Sequence, residues 1–147
     1  MSYKLPVSVL VVIHTASLEV LLLERALRPG YWQSVTGSLD WAEEPLAAAA
    51  AREVKEETGI EPAAGRLSRW NVANTFEIYL QWRDRFAPGV TRNTEHVFGL
   101  ALPARVAVSM APDEHTAFAW LPWREAAEKC FSWSNRDAIR MLGEEAA

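Results

Sequence analysis

The amino-acid sequence predicts an α/β sandwich, in which helices cover a mixed β-sheet. The segment Lys4–His14 is almost continuously apolar, as expected for a strand that is buried on both faces. One helix pattern follows the third predicted strand and two more close the chain, an order typical of layered α/β folds. Because the chain has 147 residues and contains no repeat or linker, we expect one domain over residues 1–147.

The first half of the chain is predicted to contain three strands and one helix. A polar connection, Thr15–Glu19, and a chain-breaking segment, Arg28–Gly30, separate the strands. The helix is expected to begin at Pro45 and to end before Gly59, and the alanine run Ala47–Ala51 favours it. The predicted strands are Lys4–His14, Val20–Arg25 and Trp32–Thr36.

The second half is predicted to add further strands and two closing helices. The alternation from Arg66 to Trp82 indicates one or two strands, with Phe76, Ile78 and Leu80 on one side. Ser134 is placed to cap the last helix, and Cys130 is interpreted as a small core residue. The remaining predicted elements are strands Glu95–Leu102 and Ala117–Leu121 and helices Pro122–Cys130 and Ser134–Leu142.

Three glutamates lie on one face of the first predicted helix. Glu53, Glu56 and Glu57 are spaced by three and four residues, which brings their carboxylates to the same side. Like charges at this spacing destabilise a helix, so a divalent cation that neutralises them is one interpretation. A solvated acidic face, partly offset by Arg52 four residues before Glu56, is the other.

The residues around these glutamates form a longer pattern. Gly37 is followed after six residues by Glu44 and, seven residues later, by the run Arg52–Ile60, which reads REVKEETGI. This pattern resembles the Nudix box, the signature of the Nudix hydrolases. Every specified position from Glu44 onward matches, whereas the loop after Gly37 is one residue longer than the family pattern, which leaves Glu43 as an alternative to Glu44. The resemblance implies a Nudix-type α/β/α sandwich around a mixed β-sheet.

The resemblance also implies an enzyme that hydrolyses a diphosphate linkage with the help of a divalent cation. Mg²⁺ is the implied cofactor, with Mn²⁺ as a substitute, and hard cations of this kind prefer oxygen ligands. The implied metal ligands are Glu53, Glu57, Glu56, the Gly37 carbonyl and, outside the box, Glu114. The implied catalytic residues are Glu53, Glu56, Glu57 and Arg52, with Arg52 orienting the glutamates rather than contacting substrate. For Glu114, an ordinary surface acid is the competing interpretation.

Segments outside the box are similar to a bacterial branch of the Nudix family that acts on pterin triphosphates. These segments are Tyr3–Lys4 with Pro6–Ser8, Tyr31–Ser38, Phe76–Ile78, Ala87–Glu95 and Ser132–Arg136. The similarity implies hydrolysis of 7,8-dihydroneopterin triphosphate to dihydroneopterin monophosphate and pyrophosphate, a reaction of folate biosynthesis. The substrate-binding residues that it implies are Lys4, Arg25, Thr36, Phe76, Glu77, Ile78, Tyr79 and Ser134.

Residue types suggest where phosphates and a flat ring could bind. Lys4 and Arg25 adjoin predicted strands and can lie at one rim of the sheet, with Arg92 as a third cation. His115 is expected to be a hydrogen-bonded loop residue. Four aromatic residues could flank a heterocycle, although core packing is the alternative for each: Trp32, Phe76, Tyr79 and Trp133.

Composition restricts the partners that we expect. A net charge of −4 argues against a nucleic acid polymer as the ligand. The single cysteine forms no intrachain disulfide, which favours a reducing compartment. The longest apolar run, Val7–Ile13, is too short to cross a bilayer. We expect a cytoplasmic protein that binds a small molecule, with no membrane association, and a monomeric state.

Two alternative functions stay open at this point. One is a Nudix pyrophosphatase with a broader substrate range that includes dATP or oxidised purine nucleotides, since pterins and purines share a fused bicyclic shape. The other belongs to a different class and is a catalytically silent Nudix module that binds a nucleotide for a partner. The presence of all three glutamates, Glu53, Glu56 and Glu57, argues against a catalytically silent module.

Overall fold

The computed structural model describes residues 3–146. These residues form seven strands, three α-helices and two short 3-10 helices. The strands are β1 (Val7–Thr15), β2 (Glu19–Arg25), β3 (Trp32–Gln33), β4 (Val35–Ser38), β5 (Arg66–Glu77), β6 (Arg92–Leu102) and β7 (His115–Pro122). The α-helices are α1 (Leu46–Thr58), α2 (Trp123–Lys129) and α3 (Trp133–Ala146), and the 3-10 helices are Pro62–Ala64 and Leu80–Arg85.

The strands form one mixed sheet around β1. Its order is β3-β2-β1-β6-β5, with β4 paired to β1 and β7 paired to β2. β1 runs parallel to β6 along its whole length and antiparallel to β4 over Ser8–Val11. β2 pairs with β1 only at His14 and then continues alongside β7. One edge of β1 is therefore shared by β4 near its start and β2 near its end.

Alternate residues of β1 face two separate hydrophobic layers. Val9, Val11 and Ile13 pack with α1 on one side of the sheet. Leu10 and Val12 pack with α2 and α3 on the other side. This burial on both faces explains why the first strand is apolar almost throughout. The predicted α/β/α sandwich around a mixed sheet is confirmed.

Helix α1 ends as the sequence predicts. Gly59 adopts a left-handed φ of 69°, which glycine tolerates without a side-chain penalty, and its N–H donates to the Lys55 carbonyl at 2.9 Å. Pro45 precedes the first helical residue instead of being the first one. The Pro45 carbonyl still accepts the N–H of Ala49 at 3.0 Å and so begins the helical hydrogen bonding.

The predicted strands Lys4–His14 and Trp32–Thr36 both need correction. The first begins at Val7, and Lys4 keeps only an isolated pairing with Phe86. The second is divided at Ser34, whose N–H donates to Asn135 Oδ1 at 2.7 Å. A side chain on α3 thus accepts the hydrogen bond from Ser34 that a neighbouring strand would otherwise accept.

The alternation after Phe76 ends sooner than predicted. β5 stops at Glu77, and the chain turns into the 3-10 helix Leu80–Arg85. Ile78 is buried, but Leu80 is 78% exposed, so its predicted position beside Phe76 and Ile78 is wrong. Arg83 donates to the Ile78 carbonyl at 2.8 Å and helps to hold this turn.

The closing helices also differ in detail from the prediction. α3 begins at Trp133 and runs beyond Leu142 to Ala146. Ser134 is not its cap, because the N–H of Asn135 points to the Ser132 hydroxyl at 3.4 Å while Ser134 lies buried in the first turn. Cys130 packs in the core beside α2 and α3. Within residues 3–146, no helix combines the length and the apolar character that a membrane crossing requires.

Candidate active site

A cavity of about 680 Å³ brings together most of the side chains that the sequence singles out. Its wall includes the acidic face of α1, the β4 backbone and the start of α3. The predicted site residues that line it are Lys4, Arg25, Thr36, Gly37, Glu53, Glu56, Glu57, Phe76, Glu77, Ile78, Tyr79, Glu114 and Ser134. Arg52 is not among the lining residues and acts on the site through the carboxylates that it binds.

Arg52 is the centre of an ion-pair network on α1. Its Nε and Nη2 each donate to Glu44 at 3.0 Å, and Nη2 also reaches the Ser38 carbonyl at 3.2 Å. Nη1 donates to Glu53 at 2.7 Å and to Glu56 at 3.3 Å. The guanidinium therefore connects the loop that follows β4 with two glutamates of the acidic face. These contacts agree with the orienting role expected for Arg52.

The structure distinguishes Glu44 from its neighbour Glu43. The Glu44 side chain is 2% exposed and also accepts the N–H of Asp40 at 2.8 Å, whereas Glu43 is exposed. The hydrogen bonds from Arg52 are the main reason that the pKa of Glu44 is lowered. Glu44 thus anchors both ends of the loop, and the tip of the loop, residues 41–43, is exposed.

Gly37 packs directly against the carboxyl group of Glu53. A Cβ atom at Gly37 would lie 2.2 Å from Glu53 Cδ and 2.4 Å from each carboxylate oxygen. The absence of a side chain at Gly37 therefore allows Glu53 to approach the β4 backbone. Gly37 itself pairs with Val9 of β1, so the sheet fixes its position.

Glu53 and Glu57 form a closely coupled pair of carboxyl groups. The Glu57 side chain is only 4% exposed, and burial followed by the hydrogen bond to Glu53 raises its pKa well above the ordinary value. Burial also raises the pKa of Glu53, although Glu57 and Arg52 act in the opposite direction. The N–H of Thr36 donates to Glu57, but Glu57 Oε1 is buried without a hydrogen-bond partner.

This pair fits a divalent cation. Two adjacent carboxylates ionise together only when a positive charge compensates them, and an unpartnered buried oxygen is available for coordination. Hard cations such as Mg²⁺ use one or two carboxylates together with water and substrate oxygens. No group of three or more acidic, histidine or cysteine side chains converges for metal binding anywhere in residues 3–146. Glu56, 56% exposed and bound to Arg52, does not complete such a group.

Glu114 and His115 approach the acidic pair from the turn before β7. The Glu114 carbonyl accepts the N–H of Ala26 at 2.8 Å, and its carboxylate is close enough to raise the pKa of Glu57. His115 is the first residue of β7 rather than a loop residue, and its Nε2 lies 3.9 Å from Glu57 Oε1. Burial, and then the Arg25 charge, lowers the pKa of His115 to about 4, so the ring is neutral at pH 7.

Three cationic side chains line the cavity near these acids. The pKa of Lys4 is lowered by burial and then by the charges of Arg85 and Arg25, which shows that the three lie close together. Arg25 stacks over Trp82 at 4.7 Å, and its Nε is buried without a partner. Arg85 was not predicted; it is the last residue of the 3-10 helix Leu80–Arg85, where the sequence indicated a strand as far as Trp82. Arg92 was predicted but lies outside the cavity, exposed at the start of β6.

Aromatic side chains form another part of the wall. Phe76 and Trp133 meet edge to face with centroids 6.4 Å apart, and Tyr79 contacts both Trp82 and Phe131. Phe76, Tyr79 and Trp133 therefore lie in the cavity as the sequence suggests. Trp32 does not, because its ring packs in the core beside α2 with Lys129 over it at 4.8 Å.

Three buried polar residues on β1 and β6 were not among the predicted site residues. Ser8, Asn93 and Glu95 each expose less than 10% of their surface and line the same cavity. Asn93 Nδ2 donates to Ser8 Oγ at 2.7 Å. A signal was present, because Ser8 interrupts an apolar strand, and Asn93 and Glu95 precede Val97 on one face of the next strand.

A mixed sheet between helical layers, with a coupled glutamate pair on the helix after β4, defines the class of protein: a Nudix hydrolase. The NUDIX domain model matches residues 4–142, and the chain belongs to this family. It is 47% identical over 143 residues to dihydroneopterin triphosphate diphosphatase of Escherichia coli K12, covering 95% of this chain and 93% of that protein. Its identity to the Haemophilus influenzae enzyme of the same name is 34%, over 95% and 89% of the two chains.

Comparison with a solved structure leads to the same family. The fold superposes on the structure of the Escherichia coli dihydroneopterin triphosphate pyrophosphohydrolase with a TM-score of 0.89 and 46% identity. The match covers 96% of this chain and 97% of that chain. The protein is therefore an enzyme of the Nudix hydrolase family, which generally uses a divalent metal, and the catalytically silent alternative is set aside.

Replacing Gly37 by alanine should lower activity more than stability. The added methyl group would displace the flexible Glu53 carboxyl rather than the backbone. Misplacing a reacting group by about 1 Å costs about a hundredfold in rate. Metal-dependent turnover of a triphosphate and thermal unfolding should be measured on the same Gly37→Ala preparation.

Gly30→Ala serves as the matched control. Gly30 has a φ of 87°, so alanine there should cost about 1–2 kcal/mol of stability, because side chains disfavour left-handed backbone. Its added Cβ would have no atom within 4 Å, so turnover should not change. Equal activities of the two variants would contradict the proposed dependence of Glu53 on Gly37.

Replacing Glu44 by glutamine should destabilise the fold by about 1–3 kcal/mol at pH 7, because a buried charge-assisted hydrogen-bond pair is lost. The pKa of Glu44 is lowered from 4.5, so the stabilisation is complete above pH 4.5 and is lost as the pH falls through the pKa of the folded state. Urea unfolding at pH 7 and pH 3.5 should show the difference between wild type and Glu44→Gln shrinking at the lower pH. Glu43→Gln, at an exposed position, should change stability by less than about 0.5 kcal/mol at either pH.

Proposed function

We propose that this enzyme hydrolyses 7,8-dihydroneopterin triphosphate between the α and β phosphates and releases dihydroneopterin monophosphate and pyrophosphate. The observation that carries the proposal is the 47% identity, over nearly the whole chain, to an enzyme named for this reaction. The cavity supports it, since acidic, cationic and aromatic side chains line one space large enough for a small molecule. We further propose that the enzyme acts as a single catalytic domain, is monomeric and cytoplasmic, and binds neither nucleic acid polymers nor membranes.

Mg²⁺ is the proposed cofactor, and Mn²⁺ is expected to substitute for it. Glu53 and Glu57 would hold it, with Glu56, the Gly37 carbonyl and Glu114 as further oxygen donors. Bound there, the ion would neutralise phosphate charge and make a water molecule more acidic. Support comes from the raised pKa of both Glu53 and Glu57, which a nearby cation would lower again.

The cationic side chains are proposed to bind the phosphates. Lys4, Arg25 and Arg85 lie near one another, and burial, followed by their mutual repulsion, lowers the pKa values of Lys4 and Arg25. A polyphosphate would relieve that repulsion and accept hydrogen bonds from the unpartnered Arg25 Nε. The stacking of Arg25 on Trp82 holds the guanidinium in the cavity before substrate arrives.

Glu56 is the proposed group for positioning or deprotonating the attacking water. Of the three glutamates on this face of α1 it is the most exposed, so it keeps contact with water, and Arg52 holds its Oε2 at 3.3 Å. A carboxylate fixed in this way can orient a water molecule and accept its proton. The neutral ring of His115, beside Glu57, leaves the negative charge of the acidic pair available to the cation.

Glu57→Gln should abolish metal-dependent pyrophosphate release while the protein stays folded. Loss of a ligand that is worth several kcal/mol of charge stabilisation corresponds to a decrease in kcat of about a hundredfold or more. Stability should not fall, because glutamine removes a buried carboxyl group that is costly to ionise. Pyrophosphate release and thermal unfolding are the two measurements.

The control for this variant is Glu61→Gln, at an exposed residue whose only ion pair among the described residues is with Lys55. Its pyrophosphate release should equal that of the wild type. Retained turnover in Glu57→Gln, with Mg²⁺ present, would refute the assignment of Glu57 as a metal ligand.

The substrate itself is tested by chromatographic separation of substrate and products for a panel: dihydroneopterin triphosphate, dATP, 8-oxo-dGTP and ADP-ribose. The triphosphates would yield a monophosphate and pyrophosphate, whereas ADP-ribose would yield AMP and ribose 5-phosphate. We expect kcat/KM for the pterin to exceed that for dATP by about tenfold or more, the size of effect that one or two specific polar contacts supply. Comparable values for the pterin and the purines would favour the broader pyrophosphatase. A preference for ADP-ribose would rule out the pterin assignment.

A further inference from the structure

The Arg25 side chain is held from two directions by uncharged groups. Its Nη1 donates to the Gln33 side-chain oxygen, Oε1, at 3.3 Å. The Trp82 ring lies against the guanidinium, whose Cζ is 4.7 Å from the ring centroid. All three side chains line the cavity. One nitrogen and one face of the guanidinium are therefore fixed by neutral contacts.

The register of the sheet places Gln33 next to Arg25. Gln33 is the partner of Leu23 between β3 and β2. Arg25 lies two residues beyond Leu23, so its side chain leaves the same face of β2. Side chains at such diagonal positions reach each other when they are long. Because Gln33 is only 5% exposed, its amide has few other positions to adopt, and the contact is built into the strand pairing.

Trp82 is held in place independently of Arg25. Its ring packs against Tyr79 and Phe131, with centroids 5.2 and 6.1 Å apart. Its backbone N–H donates to the Tyr79 carbonyl at 2.9 Å. Tyr31 in turn stacks on Phe131 at 4.7 Å, which extends the cluster away from the guanidinium. The ring therefore offers Arg25 a surface that is formed before any ligand binds.

No carboxylate neutralises Arg25 directly. Within residues 3–146, none of the ion pairs includes Arg25, and its Nε is buried without a partner. The charges of Glu57 and Glu114 raise the pKa of Arg25 only against the larger effects of burial and of the Arg85 charge. A cation that is held by neutral partners keeps its charge for an external anion, because no internal carboxylate competes for it.

We propose that Gln33 and Trp82 are positioning residues that hold Arg25 as an oriented, uncompensated cation for a phosphate group of the substrate. We call these two residues the Arg25 clamp. The inference rests on the proposed function for the phosphate contact of Arg25 itself. It adds that both members of the clamp need to be uncharged, since a glutamate at position 33 would retain the hydrogen bond but occupy the charge that the phosphate needs.

The first test is Gln33→Glu, with inorganic tripolyphosphate as the ligand and no metal present. Calorimetric titration should give a Kd about tenfold or more weaker than that of wild type, because the new carboxylate competes for the guanidinium. The unfolding temperature should stay within about 2 °C of wild type or rise, since Arg25 gains an ion-pair partner. A residue that only stabilised the fold would lose affinity and stability together. An unchanged Kd would overturn the proposal.

The second test concerns Trp82. Trp82→Leu should weaken tripolyphosphate binding about 3- to 30-fold, whereas Trp82→Phe, which keeps a ring face, should remain within about threefold of wild type. In an Arg25→Ala background, Trp82→Leu should change the Kd by less than about twofold, because its partner is already absent. A full effect of Trp82→Leu in that background, or an unchanged Kd in Arg25→Ala alone, would contradict the clamp.

Tyr31→Leu is the matched control. Tyr31 belongs to the same aromatic cluster through Phe131, but it does not line the cavity. Its replacement should lower the unfolding temperature by about 2–4 °C and leave the Kd for tripolyphosphate unchanged. If Tyr31→Leu weakened binding as much as Trp82→Leu does, the packing of the cluster rather than the contact with Arg25 would be responsible, and the proposal would be wrong.

Turnover separates the clamp from the proposed function. With dihydroneopterin triphosphate, kcat/KM should fall in Gln33→Glu and Trp82→Leu by about the same factor as the affinity for tripolyphosphate, mainly through KM. If wild type does not hydrolyse the pterin but the Kd values change as stated, the proposed function is wrong and the clamp stands. If wild type hydrolyses it and both variants match wild type in Kd and kcat/KM, the proposed function stands and the clamp is refuted.

A second variant covers the case in which Gln33→Glu does not unfold cooperatively. Gln33→Met has a similar length and removes the acceptor without adding a charge. It should weaken tripolyphosphate binding about 3- to 10-fold, the effect of losing one hydrogen bond that orients the guanidinium. A Kd equal to that of wild type in Gln33→Met would overturn the role of Gln33.

Discussion

The contact between Arg52 and the buried carboxylate of Glu44 is the interaction on which the rest of the site depends. Glu44 cannot stay ionised at 2% side-chain exposure without a partner, and Arg52 provides two hydrogen bonds to it. Because the same guanidinium binds Glu53 and Glu56, the loop after β4 and the acidic face of α1 are held in one arrangement. The loop between Gly37 and Glu44 is one residue longer than the family pattern, and the Arg52 contacts at both of its ends are nevertheless formed.

The acidic pair shows how stability and function oppose each other in this enzyme. Burying Glu57 beside Glu53 disfavours the ionised state of both carboxyl groups, which a fold selected for stability alone would avoid. The sheet enforces the contact, because Gly37 lets Glu53 approach β4 and the Thr36 N–H holds Glu57. A cation bound at the proposed site would gain the electrostatic free energy stored in the pair, so that metal affinity and the raised pKa values would have one physical origin.

Periodicity and local signals were sufficient to predict the layers of the fold. The two-faced burial of β1 follows from its apolar sequence, and the end of α1 follows from Gly59. The incorrect predictions share a cause, because each depends on a long-range contact that local sequence patterns do not encode. β3 and β4 separate at Ser34 because Asn135, 101 positions away, takes its N–H. Likewise, Arg85 and Glu95 line the cavity from a segment with no prediction and from the start of a predicted strand, whereas Glu53 and Glu57 stood out through their spacing and the box motif.

The two parts of the cavity are built on different elements, which separates reaction chemistry from substrate choice. The acidic pair and Arg52 belong to α1, where a change of one residue would disturb an interlocked network. The aromatic side chains and the acceptors Asn93 and Glu95 come from β5, β6 and the start of α3, none of which contributes to the Arg52 contacts. A substitution on β6 can therefore change this wall of the cavity while the Arg52 contacts stay unchanged. The box identifies the reaction class, whereas the wall formed by Phe76, Asn93 and Glu95 lies on strands that the box does not include.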